Sequence, residues 1–157
     1  MRVYADTSFI VKLLAREAGT EEALAQYRRL GRPALAFLPL HALEAENAIR
    51  AKAFHQRHSA GPHERSQISR EEAVALERLS HFITRGVLVE TNGDWDAACA
   101  RAGDLSRRHT ATTGARSLDL LHLAFALEFE CELFLSTDEC QAGIAASEGL
   151  EVLFVKD

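Results

Sequence analysis

Four acids stand where chemistry can begin. Asp6 closes the strand-like start of "RVYADTS" (residues 2–8), and Asp138 closes "FLSTDE" (134–139), each with hydroxyls beside it. Asp119 lies near the start of "SLDLLHLAFALEF" (117–129), and Glu44 lies in "HALEAENAIRAKAFHQRH" (41–58). Each acid has an ordinary reading. Asp, Ser and Thr cap helices well, and "DECQ", Asp138 with Gln141 three residues on, is a capping-box pattern. Asp119 falls in a first helical turn after an expected cap at Ser117, where an acid favours the helix dipole. Yet a carboxylate on so apolar a helix is costly to bury unless it is paired or bound to a metal. His122 shares the Asp119 face and, taken alone, reads as a hydrogen-bonded core residue. Glu44 and Glu46, two residues apart, point to nearly opposite faces, so one of them at most joins a site. Glu44, with Asn47 on its face, is the candidate, and Glu46 is expected to be a solvated surface acid.

Together the four acids describe one place, built from two strand ends and two helix starts. Open α/β sheets bind ligands at the carboxyl ends of their strands. Four unpaired carboxylates brought together repel one another. Hard divalent cations such as Mg²⁺ or Mn²⁺ take oxygen ligands and relieve that repulsion. Such ions activate water and neutralise charge on a phosphodiester, so the chemistry expected is metal-assisted phosphodiester hydrolysis. No side chain stands out as a separate general base.

The elements that must position these acids alternate along the chain. Strand-like runs fall at 3–5, 34–38, 86–90, 132–136 and 151–155. Helical patterns occupy 8–18, 20–31, 41–58, a stretch opening at Ser69 with a Ser69–Glu72 capping box, about 92–109, 117–129 and about 139–148. Strands separated by helices predict crossover connections, hence an α/β fold with a central parallel sheet of about five strands covered by helices. The helix at 118–129 is apolar almost all round, which predicts burial. "SAGPHERSQ" (59–67) and "TATTGARS" (110–117) read as loops.

The chain has 157 residues, 47% of them hydrophobic and 26% charged, a globular composition that suggests one domain. No apolar run approaches a membrane span, and the N-terminus lacks a signal-peptide pattern. Cys99, Cys131 and Cys140 are few, odd in number and without a CxxC pair. A disulfide framework or zinc site is therefore unsupported, and a reducing cytoplasm fits best. The net charge of −5 argues against an extended basic surface. Positive charge is nevertheless concentrated at Arg50, Lys52, Arg57, Arg65 and Arg70, and again at Arg107, Arg108 and Arg116. These stretches are either solvated segments or a local rim contacting phosphates, with Arg57, Arg65 and Arg116 as candidate RNA contacts.

"YADTS", "LEAENAI", "SLDLLHLAFA" and "FLSTDE…GLEV", in that order and over nearly the whole chain, resemble the PIN-domain ribonucleases, and most of all the VapC-like toxins of toxin–antitoxin pairs. The resemblance implies a Mg²⁺- or Mn²⁺-dependent endoribonuclease whose acidic site corresponds to Asp6, Glu44, Asp119 and Asp138. It implies support from Ser8 beside the first acid and from Ser136, which stands where the family often has Thr. It also implies RNA as substrate, a homodimer and a small inhibitory antitoxin. The basic insertion around 50–70 is less typical of the family. Two other readings compete. A haloacid-dehalogenase-like phosphatase also starts with a strand ending in Asp, but needs a second Asp where this chain has Ser8. A catalytically silent PIN-like module binding RNA or protein would need no metal chemistry. There is no GxSxG elbow, P-loop or GxGxxG run.

Overall fold

The computed structural model describes residues 1–156. Five short strands and seven helices alternate as the sequence predicts: β1 (Val3–Ala5), α1 (Thr7–Leu14), α2 (Thr20–Arg29), β2 (Leu35–Phe37), α3 (Pro39–Ser59), α4 (Pro62–Thr84), β3 (Leu88–Glu90), α5 (Trp95–Thr113), α6 (Ser117–Glu128), β4 (Leu133–Ser136), α7 (Glu139–Ser147) and β5 (Glu151–Phe154). All strand pairings are parallel, as crossover helices require. The five strands do not form one sheet, however. They divide into β1-β4-β5 and β2-β3. Which strands pair is decided by non-local packing, which the local pattern of apolar runs does not carry.

The chain forms two compact units, Met1–Phe9 with residues from Thr91 onward, and Ile10–Glu90. In the first, the β1-β4 register pairs Val3 with Leu133, Tyr4 with Phe134 and Ala5 with Leu135. Both strands are buried throughout, and the rings of Tyr4 and Phe134 stack at 5.8 Å. Helix α6 buries Leu120, Leu123, Ala124, Phe125 and Ala126 together with Asp119 and His122. This is most of the burial its composition predicts, with Leu118 in the first turn left exposed. The preceding α5 starts at Asp94, whose side chain accepts from Ala97 N at 3.0 Å, and ends at Gly114 in the left-handed region at φ 69°. The expected loop at 110–117 therefore shrinks, because α5 runs on to Thr113.

In the unit Ile10–Glu90, α3 and α4 form a helical hairpin joined through Ala60 and Gly61. It buries Ile49, Ala53, Ala75 and Leu79. The expected helix start at Ser69 is wrong. Helix α4 begins seven residues earlier, with Pro62 at its first position, where a missing N–H costs nothing. The Glu64 carboxylate accepts from Gly61 N at 2.8 Å. Ser69 is therefore an exposed residue inside the helix, Glu72 pairs with Arg57 at 2.5 Å, and most of the segment read as the loop 59–67 is helical. Lys12 is buried and pairs with Glu17 at 3.1 Å, and Lys52 pairs with the same carboxylate at 2.8 Å. Burial alone would raise the Glu17 carboxyl, but the bonds from Lys52 and Lys12 outweigh it and hold the group below its ordinary value.

Candidate active site

The ends of β1 and β4 lie side by side, and the ladder continues one step beyond β1, where Asp6 N donates to Leu135 O at 3.0 Å. This brings Asp6 and the β4 end to one edge, as two parallel strands must. Asp6 is fully buried. One carboxylate oxygen, Oδ1, accepts from Ser8 Oγ at 2.7 Å and from Phe9 N at 2.8 Å, and the other, Oδ2, accepts from Ser136 Oγ at 2.6 Å. The two hydroxyls tie the strand ends together. Ser136 Oγ accepts from Asp138 N at 2.9 Å, and Ser8 Oγ accepts from Thr137 N at 3.0 Å. Burial pushes the Asp6 carboxyl above its ordinary value, against the opposing pull of Ser136, His122, Ser8 and Phe9 N. Its charged form is thus short of positive partners, which is what a bound cation supplies.

Asp138 is the N-cap of α7, accepting from Gln141 N at 2.8 Å, so its capping pattern is real and its carboxylate also belongs to this edge. Asp119 is buried in the first turn of α6. The cap of that helix is Arg116 rather than Ser117. Asp119 Oδ2 accepts from Arg116 N at 3.2 Å and from Arg116 Nε at 3.0 Å, while Gln141 Nε2 donates to Asp119 Oδ1 at 3.2 Å. The Arg116 guanidinium also approaches Asp138, Nη2 to Oδ2 at 3.7 Å. Asp119 and Asp138 are therefore bridged twice, by Arg116 and by Gln141. The buried amide oxygen of Gln141 has no hydrogen-bond partner.

The expectation of four unpaired carboxylates is corrected here for these three. Each is held by internal donors, because burying a lone carboxylate costs more than the bonds that satisfy it. As placed, no three His, Cys, Asp or Glu side chains among the described residues form a ready metal-holding group. The donor chemistry nevertheless fits a hard cation. The atoms gathered are carboxylate and hydroxyl oxygens, an orphaned amide oxygen adjoins them, and a positive side chain already sits between two of the acids.

The other expected residues belong to other parts of the chain. Glu44 is half-buried in α3 and Asn47 is exposed, both in the unit Ile10–Glu90. Glu46 makes a surface ion pair with Arg50 at 2.7 Å, consistent with a solvated role. Arg57 is engaged by Glu72, whereas Arg65 is exposed and donates from Nε to the backbone oxygen of Ala60 at 3.0 Å. His122 is the hydrogen-bonded core residue its setting suggested, with Nδ1 2.9 Å from Tyr4 Oη and Nε2 3.1 Å from Thr7 Oγ1. The bridging role of Gln141 is not legible in the sequence. Its capping-box place beside Asp138 was the only local signal, and its bond to Asp119 spans 22 residues.

An α/β chain with parallel strands and acids gathered at their carboxyl ends is the class defined so far. A family model for the PIN domain matches residues 3–146, and the chain belongs to that family, whose members are generally nucleases. No curated protein matches it in sequence. Among solved structures, FitAcB from Neisseria gonorrhoeae is similar at a TM-score of 0.61 and 15% identity, over 96% of this chain and 96% of that one. PAE2754 from Pyrobaculum aerophilum aligns over 97% and 89% of the two chains at 14% identity and a TM-score of 0.48. At such identity the first likeness speaks to the fold alone.

Proposed function

We propose that this protein is a Mg²⁺- or Mn²⁺-dependent endoribonuclease acting as the toxin of a toxin–antitoxin pair. The observation that supports it best is the linked set Asp6–Ser136–Asp138–Gln141–Asp119, an oxygen-rich cluster at the strand ends. Asp6, Asp119 and Asp138 would hold the ion. Glu44 is assigned as a fourth ligand on sequence grounds. When bound, the ion supplies charge neutralisation on the phosphodiester and acidity to the attacking water. Ser8 and Ser136 fix both oxygens of Asp6, so that its carboxylate is oriented before the ion arrives. The assignment of a small antitoxin and a homodimer follows from the VapC-like order of motifs. Arg57, Arg65 and Arg116 are proposed as phosphate contacts, and the cytoplasm as the location.

The test is cleavage of structured RNA by the purified chain with Mg²⁺ or Mn²⁺. Activity is expected to vanish in EDTA and in Asp6→Asn. Undiminished cleavage in EDTA would sink the metal mechanism. Retained RNA binding without cleavage under either ion would favour the silent binding module.

A further inference from the structure

Arg116, proposed above as a phosphate contact, is also folded onto the acids of the site, which a phosphate contact alone does not explain. It is the N-cap of α6, its side chain is 77% exposed, and it is still folded back onto two acids, with Nε on Asp119 at 3.0 Å and Nη2 near Asp138 at 3.7 Å. The Arg116 side chain is 77% exposed and that of Asp119 only 11%, so solvent reaches the guanidinium far more readily than the carboxylate it covers. The carboxylates it covers are less free. Asp119 is buried, and the Asp138 cap is fixed by Gln141 N. The carboxylates therefore stay in place while the cation above them exchanges. The adjacent Gln141 amide oxygen is buried and unpartnered, as though this corner holds one acceptor more than the internal donors satisfy.

We infer that Arg116 is the internal counter-ion of the cation-free site, seated between Asp119 and Asp138 and displaced when a divalent ion binds. This rests on the proposed metal site and adds that metal affinity is set partly by competition within the chain. A guanidinium and a divalent ion brought onto the same two carboxylates repel each other, so occupation by one opposes the other, and the coupling is reciprocal. The arginine also neutralises the two acids when no ion is present, which lets them stay close without the repulsion expected of bare carboxylates.

The experiment is Mn²⁺ titration by calorimetry of the parent, Arg116→Met and Arg116→Lys. Arg116→Met is expected to bind Mn²⁺ more tightly by about fivefold, the scale of one weak ion pair removed. Arg116→Lys, which keeps the charge without the fork, should lie near the parent. A second readout uses the parent itself. The Arg116 Nε–H resonance in ¹⁵N-labelled protein should exchange slowly in EDTA and faster as Mg²⁺ saturates the site. Equal or weaker Mn²⁺ binding by a folded Arg116→Met, or an Arg116 resonance unmoved by saturating Mg²⁺, overturns the inference while leaving the metal site intact. If the parent and both variants take up neither ion, the metal reading itself fails and this inference falls with it.

Discussion

Asp119 shows how a single residue can be legible in type and misleading in energetics. The sequence marks it as an acid on an apolar helix and suggests that, without a cation, repulsion from its neighbours opposes folding. Repulsion would make Asp119→Asn stabilising in EDTA. In the structure the carboxylate accepts from Arg116 N, Arg116 Nε and Gln141 Nε2. The expected sign therefore reverses. Asp119→Asn should melt lower in EDTA, by the equivalent of about 1 kcal/mol once solvent screening of the exposed arginine is discounted. Mn²⁺ should raise the parent's melting temperature in proportion to occupancy and raise the variant's much less. A variant that melts higher than the parent in EDTA would restore the repulsion account. The partners that decide this sign were not readable, because Gln141 lies 22 residues away and the Ser136–Asp6 bond spans 130. Glu44 and Glu46 offer a cleaner sequence-level contrast. Glu44→Gln should cut RNA cleavage by orders of magnitude, as loss of a metal ligand does. Glu46→Gln loses only the surface pair with Arg50, worth under about 0.5 kcal/mol, and should change the rate less than about threefold. A dead Glu46→Gln enzyme would put the wrong face of α3 in the site.

At the scale of elements, what was legible is what local sequence decides. The strands β1 and β4 are short apolar runs that end on hydroxyls and an acid, and both are found where the runs lie. Helix α6 is apolar almost all round and is buried over most of its length, with Leu118 exposed in its first turn. The start of α4 is hard to read because two signals compete between Gly61 and Glu72. Ser69–Glu72 has good capping chemistry, but Gly61–Pro62–Glu64 supplies both a permissive first position and a carboxylate for the free N–H. Two substitutions separate them. Glu64→Ala should cost about 0.5–1 kcal/mol in thermal or urea unfolding, the usual scale of a cap. Ser69→Ala, on an exposed interior position, should stay within about 0.5 kcal/mol. The reverse order would return the helix start to Ser69. The same hairpin carries the basic stretch, and its arginines are not equivalent. Arg57 is already neutralised by Glu72, and Arg65 is exposed. Arg65→Ala should flatten the salt dependence of RNA binding more than Arg57→Ala does, since a phosphate contact adds to the slope only if its charge is free to release counterions. Equal slopes for parent and both variants would make the stretch an ordinary solvated face.

For the molecule as a whole, composition bounded the problem without solving it. A net charge of −5 argued against a broad nucleic-acid surface, while the order of four short motifs along the chain pointed to the family that the PIN-domain match over residues 3–146 establishes. Charge also governs how stability responds to acid, and here a half-buried carboxylate, Glu17, and a buried one, Asp6, pull in opposite directions. Glu17 lies below its ordinary value of 4.5 because Lys52 and Lys12 outweigh the cost of burial. The unfolded chain then binds more protons, so the stabilisation from Glu17 is full above that value and is lost as pH falls through its lowered one. Asp6 is raised above its ordinary value of 3.8 because burial outweighs its hydrogen bonds. The folded chain then binds more protons, and the cost of ionising Asp6 appears as pH rises through its raised value. Melting curves in EDTA from about pH 3.5 to about pH 7 separate the two. Glu17→Gln should be most destabilising at neutral pH, with its deficit against the parent closing as the solution is acidified. Asp6→Asn should move the other way, its melting temperature improving relative to the parent as pH rises, because only the parent must carry a buried charge without a cation. Adding Mn²⁺ at neutral pH should stabilise the parent and leave Asp6→Asn behind, since the charge that burdens the cation-free fold is the one the proposed ion would bind. If Asp6→Asn tracks the parent at every pH and in both EDTA and Mn²⁺, Asp6 is a structural tie between strand ends and the assignment of the ion to this edge is wrong.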